Sequence, residues 1–166
     1  MVRGPGVVGG RIGSVLIADT LSFLIGNWDI RRSITDHLSA TDGSFAGRAT
    51  LVVQGDGRGP GRPDEALYRE SGNASFGTHT GPATRELRYV RRGESAVMLY
   101  FSDGRPFVDL DLTRGEWRSL HPCGEDRYET VTIVRSENTV EERWRVRGPA
   151  KDYEAVTFLT RLPPVP

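Results

Sequence analysis

The chain has 166 residues, with 22 basic and 22 acidic side chains, a formal net charge of zero and a single cysteine. That length suits one domain with a real core, and balanced charge argues against a nucleic-acid or anionic-membrane partner. A lone cysteine excludes an internal disulfide, and no apolar run approaches the roughly 18 residues of a membrane span; a soluble cytoplasmic protein is expected.

Residues 1–14, MVRGPGVVGGRIGS, are glycine-rich and aperiodic, and read as a flexible tail. Asp19 is placed to cap a short helix over residues 20–25, which Gly26 would stop. Strand-like alternation follows, with Trp28, Ile30 and Ile34 on one face and Asp29, Arg31, Ser33 and Thr35 on the other. A loop at Asp42-Gly43 leads to a second strand over 45–54, where Phe45, Ala49, Leu51 and Val53 alternate with Arg48 and Thr50. Residues 55–64, GDGRGPGRPD, are loop. They are not a phosphate-binding loop, because no Gly-Lys-Ser/Thr element follows.

Further strands are predicted at 66–72, 74–78, 84–90, 96–101, 107–112, 117–121, 128–134, 140–147 and 153–161. Hairpin signals separate the later ones: Arg92-Gly93, Ser102-Asp103-Gly104, Arg114-Gly115, Ser136-Glu137-Asn138 and Gly148-Pro149. Two of the early segments read as one strand split by a bulge at Gly72. The prolines of 163–166 cannot continue a sheet. The pattern predicts one domain over 15–162, an all-β, antiparallel up-and-down β-barrel of about ten strands with a short N-terminal helix plugging one end.

The segment LIGNWDI, residues 24–30, resembles the Gly-x-Trp opening of the calycin-like barrels, the lipocalin, fatty-acid-binding and nitrobindin type. The resemblance implies that Trp28 closes the barrel floor against an arginine from the last strands, for which Arg145, Arg147 and Arg161 are candidates. The fuller pattern of DGRPFxDLDL, HPCGxDxY and WRVRGPxKDY is similar to a bacterial domain family of unknown function. The nitrobindin comparison would imply a haem held by a histidine near the chain's end. No histidine follows His121, so no haem and no other cofactor is expected.

Reactive side chains concentrate in HPCGEDRY, residues 121–128. His121 shares a face with Trp117 and Ser119, which turns it toward the interior. There it and Tyr128 are candidate acid and base; the alternative is a hydrogen-bonded histidine that ties a turn. Cys123 lies between Pro122 and Gly124, in a turn poorly suited to a Cys-His pair. His37, His79 and His121 lack metal-ligand spacing, and no metal is expected.

Asp109 and Asp111 share a face with Phe107, opposite Val108, Leu110 and Leu112. With the aliphatic face in the core both acids are solvated. With a polar lumen, Asp109 becomes a buried carboxylate partnered by Arg105 or Arg85, and Glu70 the second acid of a glycosidase-like pair. Arg143-Trp144-Arg145 reads as solvated outer face and not as a base-stacking surface.

These residues point to a barrel that binds a small, largely apolar organic molecule in its lumen, as a monomer or homodimer. His121, Tyr128 and Asp109 form the reactive set, and Arg105, Glu70, Tyr68, Arg85, Trp117 and Tyr100 the binding contacts. One alternative is a cofactor-independent cyclase or isomerase in which His121 or Tyr128 moves a proton. The other is an interaction module with a filled core.

Overall fold

Asp19 starts the first regular element. In the computed structural model, which describes residues 15–55 and 63–164, its carboxylate accepts from the Leu21 amide at 3.2 Å and caps α1 (Thr20–Leu24). Ile25 ends the helix, and Gly26, at a φ of +134° that favours glycine, turns the chain into the sheet. The tail at 1–14, most of the 55–64 loop and residues 165–166 lie outside the described residues.

Ten antiparallel strands follow: β1 (Gly26–Asp36), β2 (Thr41–Val53), β3 (Glu65–Phe76), β4 (His79–Arg92), β5 (Ala96–Phe101), β6 (Pro106–Leu110), β7 (Glu116–Cys123), β8 (Asp126–Ser136), β9 (Thr139–Gly148) and β10 (Lys151–Arg161). Neighbours in sequence pair from β1 to β6 and from β7 to β10, and β1 also pairs with β10, Trp28 opposite Arg161 and Asp36 opposite Tyr153. The sheet therefore curls into a nearly closed up-and-down barrel, with its two ends, β6 and β7, facing each other across a seam. No backbone ladder joins them among the described residues. Ser119 Oγ donates to Asp109 across the seam at 2.5 Å instead.

Period-two alternation decides which side chains face inward. Trp28 and Ile30 on β1, Phe45, Ala49 and Leu51 on β2, and Leu87 and Tyr89 on β4 are buried, as are Val97 and Leu99 on β5 and Val140 and Val146 on β9. They form one core with Leu21 and Leu24 of the helix, and α1 closes the lower end of the barrel. Arg91 seals the helix from outside, paired with Asp19 at 2.7 Å. Burial works to raise the Asp19 carboxyl, but Arg91, Ser22 and the Leu21 amide hold it below its ordinary value. No helix of the described residues is long and apolar enough to cross a membrane.

Several sequence expectations are corrected. β3 is a single strand, but Gly72 is no bulge, since its pairing with both neighbours runs without a register shift. Gly72 instead allows close strand approach: a Cβ there would come within 2.6 Å of the Gly47 Cα. The β1–β2 turn lies at residues 37–40, and Asp42 and Gly43 already belong to β2. The one marked irregularity of the β5–β6 ladder falls elsewhere. Met98 pairs with Asp109 and Tyr100 with Pro106, so β6 spends both Phe107 and Val108 opposite Leu99. That bulge re-aims Phe107. Phe107 packs on inward-facing rings, while Asp109 stays exposed, so the two do not share a face.

Candidate functional site

The barrel interior is not uniform. Its lower half, next to α1, is filled by side chains; the gap left between Trp28, Tyr68, Tyr89, Thr132 and Glu142 is about 20 Å³, room for about one water molecule. Its upper half opens to solvent as a cup of about 200 Å³, lined by Arg32, Ile34, Arg85, Phe107, Tyr128, Trp144, Tyr153 and Ala155. The lumen is therefore hollow only toward the end opposite the helix.

A charged network forms the partition between the halves. Glu70, on the inward face of β3, is 4% exposed. Arg32 grips it with two nitrogens at 2.9 and 3.1 Å, Arg85 Nη2 adds a third contact at 3.1 Å, and the Tyr68 hydroxyl donates at 2.6 Å. The Nε of Arg32 donates to Thr157 Oγ1 at 2.9 Å. Burial alone would push the Glu70 carboxyl up, yet the two guanidinium groups and the phenol outweigh it and bring it to about 2. A carboxylate this acidic is a poor general acid near neutral pH, and Glu70 acts as the anchor for two arginines. The glycine approach at 47 and 72 serves the same place. A side chain at Gly47 would meet the Phe45 ring, on which the Arg32 guanidinium lies 5.2 Å from the centroid.

Aromatic rings make the wall of the cup. Phe107 and Trp144 stack at 5.2 Å with planes 9° apart, and Phe107 also meets Phe101 at 4.4 Å. His121 stands edge-on to Phe107 at 5.4 Å and lies 5.9 Å from the Tyr128 ring opposite it on β8. The chain's only lysine reaches this rim. Lys151 Nζ donates to Tyr128 Oη at 2.8 Å and to Asp126 at 2.6 Å, and these two bonds raise its pKa above the ordinary lysine value.

The residues singled out from sequence divide accordingly. Tyr128 and Arg85 line the cup, Glu70 and Tyr68 lie beneath it, and His121 borders its aromatic wall. Trp117 is half-buried against the core, with its indole N–H buried and unpartnered. Asp109, Arg105 and Tyr100 do not join the cluster. Asp109 is exposed and bonded to Ser119, so it makes no glycosidase-like pair with Glu70. Arg105 pairs with Asp103 in the β5–β6 turn, its guanidinium 5.5 Å from the Phe101 ring. Tyr100 points outward, against Arg92. Cys123 is exposed at the end of β7. No group of three or more His, Cys, Asp or Glu among the described residues is arranged to hold a metal ion.

Sequence reading missed Arg32 and Trp144 as cup residues, and Glu142 as an inward acid. Alternation carried the signal for each. Trp144 and Glu142 share the face of Val140 and Val146, and Arg32 that of Trp28 and Ile30. Trp144 is thus an interior ring, and only its neighbours Arg143 and Arg145 face out, where they pair with Glu141 and with Asp152 and Glu154. A wider groove of about 530 Å³ runs over the outside of β8 to β10, along Val131, Val156 and Phe158. It is flanked by these mutually paired charges, whereas the cup gathers rings and guanidinium groups on one spot.

Two solved structures share this architecture. The S-type phycobiliprotein lyase CPES from Guillardia theta matches with a TM-score of 0.58 at 11% identity, over 87% of this chain and 92% of that one. A protein of unknown function from the DUF3598 family, from Nostoc punctiforme, matches with a TM-score of 0.52 at 14% identity, over 94% of this chain and 54% of that one. At such identities the likeness is one of fold. The comparison with curated proteins found no match. The profile of a family of unknown function, DUF6314, covers residues 24–161, from the last residue of α1 to the last of β10, and the chain belongs to that family.

Proposed function

We propose that this calycin-like barrel binds a small, flat organic molecule in the cup at its open end. The observation that carries the reading is the division of the lumen: about 200 Å³ of open space walled by Phe107, Trp144, Tyr128 and Tyr153 stands on a packed floor. A floor so filled gives a ligand a fixed depth, and rings on the wall offer stacking surface at low conformational cost. An interaction module with a completely filled core would leave no such space.

Saturable 1:1 binding of a neutral aromatic probe, 2-naphthamide, tests this by titration calorimetry. Ile34 lines the cup and is only partly buried, so Ile34→Trp fills the space without emptying the core. Binding is expected in the native protein and lost in this variant, with the unfolding midpoint little changed. Binding that survives the blocked cup places the ligand elsewhere.

A catalytic reading, a cofactor-independent cyclase or isomerase, draws on one further observation. Tyr128 Oη accepts from Lys151, so its own proton is free to be donated toward the cup. Its test is turnover that Tyr128→Phe abolishes while binding persists.

A further inference from the structure

The partition presents two cations to the cup and hides the one carboxylate that both of them pair with. Arg32 and Arg85 both line the cup, whereas Glu70 is buried beneath it. Arg32 has a partner at every nitrogen: Nε bonds Thr157, and both terminal nitrogens bond Glu70. Arg85 does not. Its Nη2 reaches Glu70, but its Nε is buried with no hydrogen-bond partner. A guanidinium carries five N–H donors in a fixed fork, and one left unmatched in a low-dielectric place is costly. The next inward acid, Glu142, lines the chamber below and not the cup, and acts on Arg85 from there through space.

An under-used guanidinium at the base of an aromatic cup matches a carboxylate attached to a ring. Space sets the rest. The cup holds about 200 Å³ and the chamber below it about 20 Å³, so a long acyl chain has nowhere to run. We propose that the ligand is a small planar aromatic acid, one or two rings in size, whose carboxylate pairs with Arg85 while its ring lies against Phe107 and Trp144. This rests on the cup being the binding site. It adds a charge requirement, which the wall alone would not impose.

The test compares 2-naphthoate with its neutral isostere, 2-naphthamide, by calorimetry at pH 7. The acid is expected to bind the native protein roughly ten- to a hundredfold more tightly, the worth of a charge-assisted hydrogen bond. In Arg85→Gln, where Arg32 and Tyr68 still hold Glu70, that preference is expected to disappear, read as the ratio of the two affinities within the variant. Equal binding of acid and amide by the native protein overturns the proposal and leaves the cup reading standing. A preference that survives in Arg85→Gln also overturns it. If neither compound binds, both readings fail. Should Arg85→Gln not fold, the acid-to-amide ratio in the native protein decides alone.

Discussion

The guanidinium of Arg161 lies 4.1 Å from the centroid of the Trp28 ring and reaches past it to the carbonyl oxygens of Ile25 and Phe23, at 2.9 and 2.5 Å. Trp28 itself donates from its indole nitrogen to Leu24 O at 2.8 Å. The last residue of β10 thus clamps the end of α1 onto the first strand. Burial lowers the Arg161 pKa, and the contacts that compensate are carbonyls and a ring, not a carboxylate. Of the three arginines the sequence offered for this place, Arg161 fills it, while Arg145 pairs with Asp152 and Glu154.

Truncating Trp28, which is 1% exposed, is expected to cost about 3–5 kcal/mol. Arg161→Met keeps the bulk but strips the helix carbonyls of their donor, for about 1–3 kcal/mol. Urea unfolding measures both. A Trp28→Ala protein of native stability would show that the ring does not close the floor.

Glu70 makes stability fall in acid. Its carboxyl sits at about 2 in the folded protein against 4.5 for an ordinary glutamate, so its contribution is complete above about 4.5 and is lost as pH falls toward 2. Glu70→Gln leaves two arginines unneutralised and is expected to cost about 3–5 kcal/mol at neutral pH. The difference in stability between the native protein and Glu70→Gln should then shrink between pH 4.5 and 2. A difference that stays constant across that window would mean that the carboxylate does not carry the network.

The seam between β6 and β7 should be the barrel's weakest line. Among the described residues each strand there has one edge without a ladder partner, and the Ser119–Asp109 bond and the Phe107–His121 ring contact link the two. Hydrogen exchange followed by mass spectrometry should show fast exchange in peptides over 106–110 and 116–123, and strong protection over 28–34, which pairs on both sides. Protection of β6 and β7 equal to that of β1 would indicate a ladder across the seam.

Haem is not expected to bind. A cup of about 200 Å³ is below the usual range for drug-sized ligands, and the lumen beneath it is occupied. Protein mixed with haemin should show the spectrum of free haemin. A stoichiometric Soret band that His121→Ala removes would contradict this.

What the sequence revealed and what it hid follow from range. Alternation is local, so Trp28, Ile30, Leu51 and Val140 announce their inward faces, and the turn residues announce the hairpins. The Phe107 bulge is invisible, because Phe-Val-Asp-Leu fits either register until β5 is laid beside it. The network that partitions the lumen is less legible still. Arg32, Glu70 and Arg85 lie on three different strands, and charges on an inward face look like errors in the pattern until they meet. Asp109 was legible only as a choice between two faces. It alternates with Val108 and Leu110 on a strand that a polar lumen would have turned inward, yet the sheet turns it to solvent.

Closure through β1 and β10 also shapes how the chain is made. Each hairpin can form soon after it leaves the ribosome, but one edge of β1 must wait for residues 151–161. At about 5–20 residues per second, that edge stays open for on the order of ten seconds, a sheet exposed to any strand that passes. The demand on chaperones therefore falls before synthesis reaches β10. A chain that stops short of Arg161 would suffer twice, since it would lack both the strand that covers β1 and the clamp on the helix.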